Sequence, residues 1–309
     1  MSRCLRTALV VLAAALPACT ARVSSQAILP VDSARLLADV AVLAHDSMEG
    51  RETGTPGSAR TQTFLTSALR EAGARPFGSG LAQPFASARG SGVNLVGAVP
   101  GRSDANEVIV LTAHYDHLGV RDGQIYNGAD DNASGVGAVL EITRLIAAEP
   151  MAHTLVVALL DAEEMGARGA RAFVAASPVP VERIALNVNL DMVSRTDGLL
   201  WAGGASHTPA LRPVLERVAS RAPVELRLGH DRPGAPEGDD WTQLSDHVAF
   251  HERGIPFVYF GVEDHADYHR PTDDVERIDP AAYVAAVRTI LAALRELDDA
   301  LPLPTASPR

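Results

Sequence analysis

The stretch VIVLTAHYDH at residues 108–117 decides the fold, because an almost unbroken apolar run ends there directly in polar side chains. A near-continuous apolar run is typical of a parallel strand that is buried on both faces. The stretch therefore predicts a buried strand over 108–113. His114, Asp116 and His117 follow this run, so two imidazoles and a carboxylate are expected at the carboxyl end of the strand.

Three further apolar runs, at 155–160, 184–190 and 256–260, predict buried strands for the same reason. Helical periodicity occurs between and around the four strands, at 36–43, 61–72, 135–148, 209–219 and 281–297. Strands that alternate with helices are the signature of an α/β sheet with helices on both faces. No internal repeat or long linker interrupts the pattern, so the sequence predicts one catalytic domain over residues 34–300.

Carboxylates and imidazoles follow every predicted strand. They are Asp161, Glu163 and Glu164 after the second, Asp191 after the third, and Asp264, His265, Asp267 and His269, with the phenol of Tyr268 among them, after the fourth. Ligands of open α/β sheets bind beyond the carboxyl ends of the strands. The segment GADDNASG at 128–135 adds Asp130 and Asp131 before a helix whose N-terminus favours negative groups. The sequence therefore predicts a functional site at this edge of the sheet.

So many carboxylates at one edge predict a bound cation, because like charges a few Å apart raise one another's pKa values. Histidine and carboxylate ligands without a thiol suit Zn²⁺, or Mn²⁺ or Co²⁺ in its place. Two ions about 3.5–4 Å apart need one shared carboxylate and at least two further ligands each. Five side chains supply that number: His114, Asp131, Glu164, Asp191 and His269.

The adjacent pair Glu163 and Glu164 predicts a division of roles. Consecutive residues that leave a strand point in different directions. One carboxylate can therefore bind metal while the other faces the substrate as a base. A glycosidase pair is disfavoured, because its two carboxylates come from separated positions that flank the scissile bond.

Composition excludes several classes of function. All 27 basic residues of the 309-residue chain are arginine, which excludes phosphate loops that need a lysine and enzymes that form a Schiff base. The net charge of −11 argues against a nucleic-acid partner, because phosphate binding requires a basic surface. With 47% hydrophobic residues, the chain has enough apolar material for a large core.

The first residues predict export. Arg3 and Arg6 precede an apolar run at 7–16, which is shorter than the roughly 20 residues that span a bilayer. The sequence LPAC at 16–19 resembles a bacterial lipobox, in which the cysteine is lipidated. We therefore expect a signal peptide over 1–18, a tether over 19–33 and a tail over 301–309.

Cys19 is expected to anchor the protein as a membrane lipoprotein of the bacterial cell envelope. The alternative is a simple secretory signal, which would give a periplasmic or secreted protein. The only other cysteine, Cys4, lies in the segment that would be removed, so the mature chain cannot form an intramolecular disulfide.

Six motifs occur together and in a fixed order: HYDH at 114–117, GADDNASG at 128–135, DAEEMG at 161–166, NLDM at 189–192, SDH at 245–247 and YHRPTD at 268–273. Together they resemble those of the co-catalytic, dinuclear zinc aminopeptidases of metallopeptidase family 28, which includes bacterial leucyl aminopeptidase-like enzymes and glutaminyl cyclase relatives. The resemblance covers roughly residues 35–295. It implies a phosphorylase/hydrolase-like zinc exopeptidase fold, a three-layer α/β/α sandwich around a mostly parallel mixed central sheet.

The resemblance also implies how the five candidate ligands are shared between two zinc ions. His114 and Asp191 would bind one ion, and Glu164 and His269 would bind the other. Asp131 would bridge the two ions, and family members often have a cis peptide bond after this residue.

Three further roles follow from the same resemblance. Glu163 would be the general base that takes a proton from a water between the metals, so that the resulting bridging hydroxide attacks the peptide carbonyl. Tyr268 would donate a hydrogen bond to the oxyanion. Asp116, two residues past His114 and expected on the same strand face, would orient the imidazole of His114 from behind. The implied function is an exported aminopeptidase that hydrolyses N-terminal residues from peptides with a free N-terminus.

Alternatives remain on the same fold. A glutaminyl cyclase-like acyltransferase works with one zinc and usually lacks the first histidine, so the presence of His114 disfavours it. Dipeptidase and carboxypeptidase specificities stay open, and a non-catalytic binding domain is disfavoured because every expected ligand is present. The roles of His117, His247 and His265 stay open as well.

Overall fold

The computed structural model describes residues 30–87, 90–103, 105–236 and 238–303. The predicted signal peptide, Cys19 and nearly all of the tether lie outside the described residues, as does most of the predicted tail. From Val31 onward the chain forms one structural unit. Within the described ranges, none of the helices combines the length and hydropathy that a membrane span requires.

A mixed sheet of eight strands forms the middle layer, and a separate two-stranded hairpin lies outside it. The strands are β1 (Ala82–Ser87), β2 (Gly90–Val99), β3 (Val108–His114), β4 (Gly119–Arg121), β5 (Gln124–Tyr126), β6 (Thr154–Leu160), β7 (Ile184–Leu190), β8 (Leu199–Gly203), β9 (Glu225–Leu228) and β10 (Phe257–Gly261). The order across the sheet is β1-β2-β6-β3-β7-β10-β8-β9, and β4 pairs with β5. The four central strands β6, β3, β7 and β10 are parallel.

The four strands predicted from apolar runs are these four central strands. Every residue of β3 and β10 is buried, as expected for parallel strands covered on both faces. The last predicted strand begins one residue late, at Phe257, because Pro256 has no N–H for the ladder and contributes only its carbonyl, which accepts from Asn187.

The described part of the chain contains seven α-helices: α1 (Ser33–Leu43), α2 (Pro56–Glu71), α3 (Gly135–Ala148), α4 (Arg168–Ala175), α5 (Arg212–Ala219), α6 (His247–His251) and α7 (Pro280–Asp299). One layer contains α3 packed on β3 and β7, with α1, α2 and α7 around it. The other layer contains α4 and α6, which contact each other and the sheet. The predicted α/β fold with helices on both faces is confirmed.

Two helices begin earlier than the periodicity predicted. α1 begins at Ser33, within the range predicted as tether, because the side chain of Asp32 caps it by accepting from the Arg35 N–H. α2 begins at Pro56, five residues before the predicted start at 61 and inside the glycine-rich segment GRETGTPG at 50–57. Its cap is Thr55, and proline suits the first turn of a helix. The helix predicted at 209–219 is instead a 3₁₀ turn (Pro209–Leu211) followed by α5.

The parallel direction of the central strands positions the site. β3, β6, β7 and β10 all end at the same edge of the sheet, and the predicted site residues leave from those ends. The apolar core below is well filled: α4 and α6 bring Phe173 and Phe250 together, with ring centroids 5.8 Å apart, over buried valines of β3 and β6. The sheet therefore supports the strand ends from below with close-packed side chains.

Candidate metal centre

Three of the predicted ligands form a buried group, here called the first cluster: His114, Asp131 and Asp191. His114 is the last residue of β3, and Asp191 directly follows β7, where its N–H donates to the Phe260 carbonyl of β10. The Nε2 atom of His114 lies 3.3 Å from Asp191 Oδ1 and 3.5 Å from Asp131 Oδ1. Two neighbouring strand ends and one loop therefore converge on a single point.

A second group of side chains, here called the second cluster, surrounds the other oxygen of Asp131: Asp131, Glu164, His269 and His117. His269 Nε2 lies 3.1 Å from Asp131 Oδ2 and 3.5 Å from Glu164 Oε2. His117 Nδ1 lies 2.8 Å from Glu164 Oε1 and 3.6 Å from Asp131 Oδ2. The structure thus brings all five predicted ligands together and adds His117, whose role the sequence left open.

Asp131 is held rigidly between the two clusters. Its N–H and that of Asp130 donate to the Asp273 carboxylate at 3.0 and 3.1 Å. The peptide bond from Asp131 to Asn132 is cis, as the family resemblance implied. The side-chain amide of Asn132 donates to the main-chain carbonyl of Leu190. Burial, and the negative charge of Glu164, raise the pKa of Asp131.

Sequence reasoning missed Arg51, which organises the loop that carries Asp131. This guanidinium is fully buried and donates to the main-chain carbonyls of Leu43, Tyr115, Asn127 and Gly128. Burial lowers the pKa of Arg51 to about 10, so the side chain remains a cation at neutral pH. The only available signal was its place in the glycine-rich loop GRETGTPG.

Asp116 contacts both His114, its predicted partner, and the glutamate pair. Its carboxylate Oδ1 lies 3.7 Å from His114 Nδ1, whereas its backbone carbonyl lies 3.2 Å from the same nitrogen. The carboxylate also accepts the N–H groups of Glu163 and Glu164, at 2.9 and 3.3 Å. β3 ends at His114, so Asp116 is not on a shared strand face, and the chain has already turned towards the glutamate pair.

The adjacent glutamates have opposite electrostatic environments. Burial raises the pKa of Glu163 well above its ordinary value, and the negative charges of Asp246 and Asp191 add to the effect. Burial also opposes ionisation of Glu164, but hydrogen bonds with His117 and His269 outweigh it and hold the pKa below the ordinary value. Glu164 is thus suited to remain an anion, and Glu163 to exchange a proton.

The two other histidines of open role lie outside both clusters. Burial lowers the pKa of His247 to about 4, and its Nε2 contacts the Trp241 carbonyl at 2.9 Å, so it is a neutral core residue. His265 Nε2 lies 3.2 Å from Asp130 Oδ2, and the other oxygen of that carboxylate accepts from the Ser194 hydroxyl. Neither contributes a donor atom to the clusters.

A cavity of about 210 Å³ opens onto the clusters. Its floor is formed by the first cluster together with Glu163 and Glu164. Met192, Trp241, Leu244, Tyr259 and Val262 supply apolar surface to its walls. Tyr268 also lines the cavity, with its ring stacked on His269 at a centroid distance of 3.9 Å. The predicted base and the predicted oxyanion donor therefore both face the same space as the clusters.

The donor atoms of the clusters fit zinc. Nitrogen and oxygen ligands at about 2.0–2.2 Å from a tetrahedral zinc ion lie roughly 3.4 Å from one another. The first cluster shows 3.3 and 3.5 Å. No sulfur is present among the donors, and imidazole with carboxylate suits Zn²⁺. A cation would also relieve the repulsion among the buried carboxylates.

Comparisons with known proteins agree with this arrangement. The model of peptidase family M28 matches residues 94–294. Aminopeptidase YwaD of Bacillus subtilis is 30% identical over 200 residues, which cover 62% of this chain and 41% of that protein. A probable leucine aminopeptidase of Arthroderma otae is 25% identical over 213 residues, 64% of this chain and 56% of that protein. The chain spans about half the length of these curated relatives.

Solved structures share the fold. BSAP, a zinc aminopeptidase from Bacillus subtilis, superposes with a TM-score of 0.70 at 17% identity, over 87% of this chain and 96% of that one. A glutaminyl cyclase from Porphyromonas gingivalis gives the same TM-score at 20% identity, over 86% and 99% of the two chains. At these identities the similarity establishes the predicted three-layer exopeptidase fold and nothing finer.

Proposed function

Because the chain belongs to peptidase family M28, we propose that it is a two-zinc aminopeptidase that hydrolyses N-terminal residues from peptides. One observation carries the proposal: Asp131 presents Oδ1 to the first cluster and Oδ2 to the second. A carboxylate shared in this way is the feature that a pair of ions requires. The names of the relatives, aminopeptidases and probable zinc metalloproteases, support both the activity and the metal.

The chain offers ligands for two ions. His114, Asp131 and Asp191 of the first cluster would hold one zinc, and Asp131, Glu164 and His269 of the second cluster would hold the other. When bound, such a pair lowers the pKa of water towards neutrality and polarises a carbonyl group.

Glu163 is the proposed general base. Glu163 lines the cavity, and its backbone N–H donates a hydrogen bond to the Asp116 carboxylate. The Glu163 carboxylate takes a proton from the attacking water and then passes it to the leaving amine. Tyr268 is placed beside the same space, where its hydroxyl can donate to the developing oxyanion.

The cavity supports a substrate with a free N-terminus. Its carboxylate-rich floor attracts an α-ammonium group, and the apolar walls accept one side chain. A volume of about 210 Å³ suits the end of a peptide rather than a folded segment. Acetylation of the N-terminus removes the charge that the floor would recognise.

A second candidate, glutaminyl cyclisation, is supported by the equal structural similarity to bacterial glutaminyl cyclases. The complete first cluster disfavours it, because His114 is in place beside Asp131 and Asp191. Dipeptidase and carboxypeptidase activities are the remaining alternatives within exopeptidase chemistry.

One experiment separates these activities. The purified protein is incubated with short peptides that have free or acetylated N-termini, or an N-terminal glutamine, with and without a chelator. We expect stepwise cleavage of the free peptides only, abolished by chelation and restored by Zn²⁺. Equal cleavage of acetylated peptides, release from the C-terminus, or cyclisation of the glutamine peptide would each contradict the aminopeptidase proposal.

We further propose that the protein is exported and held in the cell envelope by a lipid on Cys19. The basis is the amino-terminal sequence pattern alone. Membrane and soluble fractions of cells that express the wild type or Cys19→Ser test it. The wild type should require detergent for release and the variant should not; equal distribution of both would contradict the anchor.

A further inference from the structure

We infer that His117 is a fourth ligand of the second cluster, so that the two zinc ions are held by unequal numbers of side chains. The inference rests on the proposed function in one respect, that the clusters bind metal. It goes beyond the five ligands that the family resemblance implies, because His117 lies outside that set. Its consequence is a difference in affinity between the two ions.

The distances around Glu164 support this assignment. His117 Nδ1 lies 2.8 Å from Glu164 Oε1 and 3.6 Å from Asp131 Oδ2. His269 Nε2, an expected ligand, lies at 3.5 and 3.1 Å from the same two carboxylates. Ligand atoms of a tetrahedral zinc site are separated by roughly 3.4 Å. The distances from the two imidazoles to the two carboxylates therefore overlap, at 2.8–3.6 Å for His117 and 3.1–3.5 Å for His269. His117 thus lies about as close to these carboxylates as His269 does.

His117 is also the more firmly held of the two imidazoles. Its side chain has no exposed surface, whereas 38% of the His269 side chain is exposed. Gly128 packs directly against the ring: a Cβ atom at this position would lie 2.5 Å from His117 Cδ2 and 2.6 Å from Cγ. The ring orientation is therefore fixed, with Nδ1 directed at the two carboxylates.

The second ring nitrogen of His117 has room for a partner of its own. His117 Nε2 is buried and has no hydrogen-bond partner among the described residues. A cavity of about 60 Å³ is lined by His117 together with Thr53, Asp116 and Glu164. This space is large enough for ordered water, and metal-bound histidines commonly donate their second N–H to a water or a carboxylate.

The two clusters consequently differ in the number of ligands that they offer to a metal ion. The first cluster supplies three side chains and leaves a tetrahedral position open, as catalytic zinc sites do. The second cluster supplies four, which is the ligand number of a closed site. We expect the second cluster to hold the tighter ion and the first to hold the ion that is lost first.

The test is zinc titration of the metal-free protein in competition with a chromophoric chelator. Wild type is expected to bind two equivalents with dissociation constants at least tenfold apart. His117→Ala should weaken the tighter equivalent by more than the roughly 100-fold that loss of a residue behind a ligand can cost, and it should leave the other equivalent unchanged. His153→Ala is the matched control, because His153 is likewise buried with Nδ1 2.8 Å from a carboxylate, that of Asp298, at the opposite end of β6.

The outcomes separate the two proposals. No zinc binding by wild type would overturn the proposed function, whereas two equivalents with unchanged affinities in His117→Ala would overturn only the inference. Should His117→Ala fail to fold, zinc anomalous scattering from crystals of wild type decides. A His117 Nδ1–zinc distance within about 0.2 Å of 2.1 Å is expected, and a distance above about 3 Å contradicts the assignment.

Discussion

The first and second clusters meet at one aspartate but are built from different parts of the fold. His114 and Asp191 of the first cluster come from the ends of neighbouring parallel strands and are buried. Glu164, His269 and His117 of the second cluster all come from loops. The sheet thus fixes one half of the site through its ladder of hydrogen bonds, and the other half depends on how loops are tied down.

The loop that carries His269 shows how this is achieved. His269 has a φ of +54°, in the left-handed region, so its backbone needs support from neighbours. The Asp267 carboxylate lies 2.8 Å from Arg195 and accepts from the Thr272 hydroxyl at 2.7 Å. A loop ion pair, rather than a strand position, therefore supports the part of the second cluster that contains His269.

The largest expected effect follows from removing the residue that both clusters share. Asp131→Ala should lose the zinc ion of the first cluster, weaken binding of the ion in the second, and lower kcat/KM by about 10⁴-fold or more, because the paired ions supply most of the chemistry. His114→Ala should lose one equivalent only, whereas His269→Ala should weaken the other equivalent, because three side chains of the second cluster remain. Metal analysis after gel filtration, together with peptide hydrolysis rates, measures both; two zinc ions retained in Asp131→Ala would mean that the clusters share no ligand.

A smaller effect is expected at Glu163, which lines the cavity but belongs to neither cluster. Glu163→Gln keeps the size of the side chain but removes the proton acceptor, so kcat should fall by about 10³-fold while both zinc ions stay bound. Glu252→Gln, in an exposed ion pair with Arg171, is the control and should retain full activity. A Glu163→Gln rate within a few-fold of wild type would assign the base elsewhere.

The smallest effect is expected from breaking the ion pair between Asp267 and Arg195, and it tests whether this pair supports only the second cluster. Asp267→Asn should weaken one zinc equivalent by about tenfold and spare the other. Hydrogen bonds from Thr272 and Arg195 lower the pKa of Asp267 to about 2, so the ion pair between Asp267 and Arg195 stays charged well above that pH. The difference in zinc affinity between wild type and Asp267→Asn should therefore persist from pH 5 to 9.

The control for this variant is Asp39→Asn, which breaks a similarly buried pair, Asp39 with Arg144, on α1 and α3. It should leave both zinc affinities unchanged. If Asp267→Asn weakens both equivalents equally, the two clusters are not supported independently.

The fold was predictable where burial is complete on both faces. The central strands are almost continuous apolar runs, so the pattern of apolar residues located them to within one residue at each end. β1 alternates between exposed and half-buried residues and β9 has four residues, so neither produces a run that differs from a loop. The edge strands were therefore not predicted, because they lack the apolar run that marks the central strands.

The site was predictable to the extent that its residues carry their chemistry in their type and in motif order. His117 escaped assignment because its partner Glu164 lies 47 positions away, and only folding shows that the two meet. Arg51 escaped for the same reason, since its carbonyl partners lie up to 77 positions away. Asp116 was misplaced because the sequence does not show that β3 ends two residues before it.

Arg51 has a consequence for the order in which the enzyme is assembled. Its planar fork joins carbonyls from three separate segments, and its positive charge lies among carboxylates before any ion arrives. A lysine would offer fewer donors and no fork. We therefore expect the metal-free chain to keep its fold, unlike a zinc finger, which unfolds without metal, and circular dichroism with and without a chelator would check this. A zinc-poor environment would leave a folded, silent reserve of enzyme that the next available ions switch on without refolding.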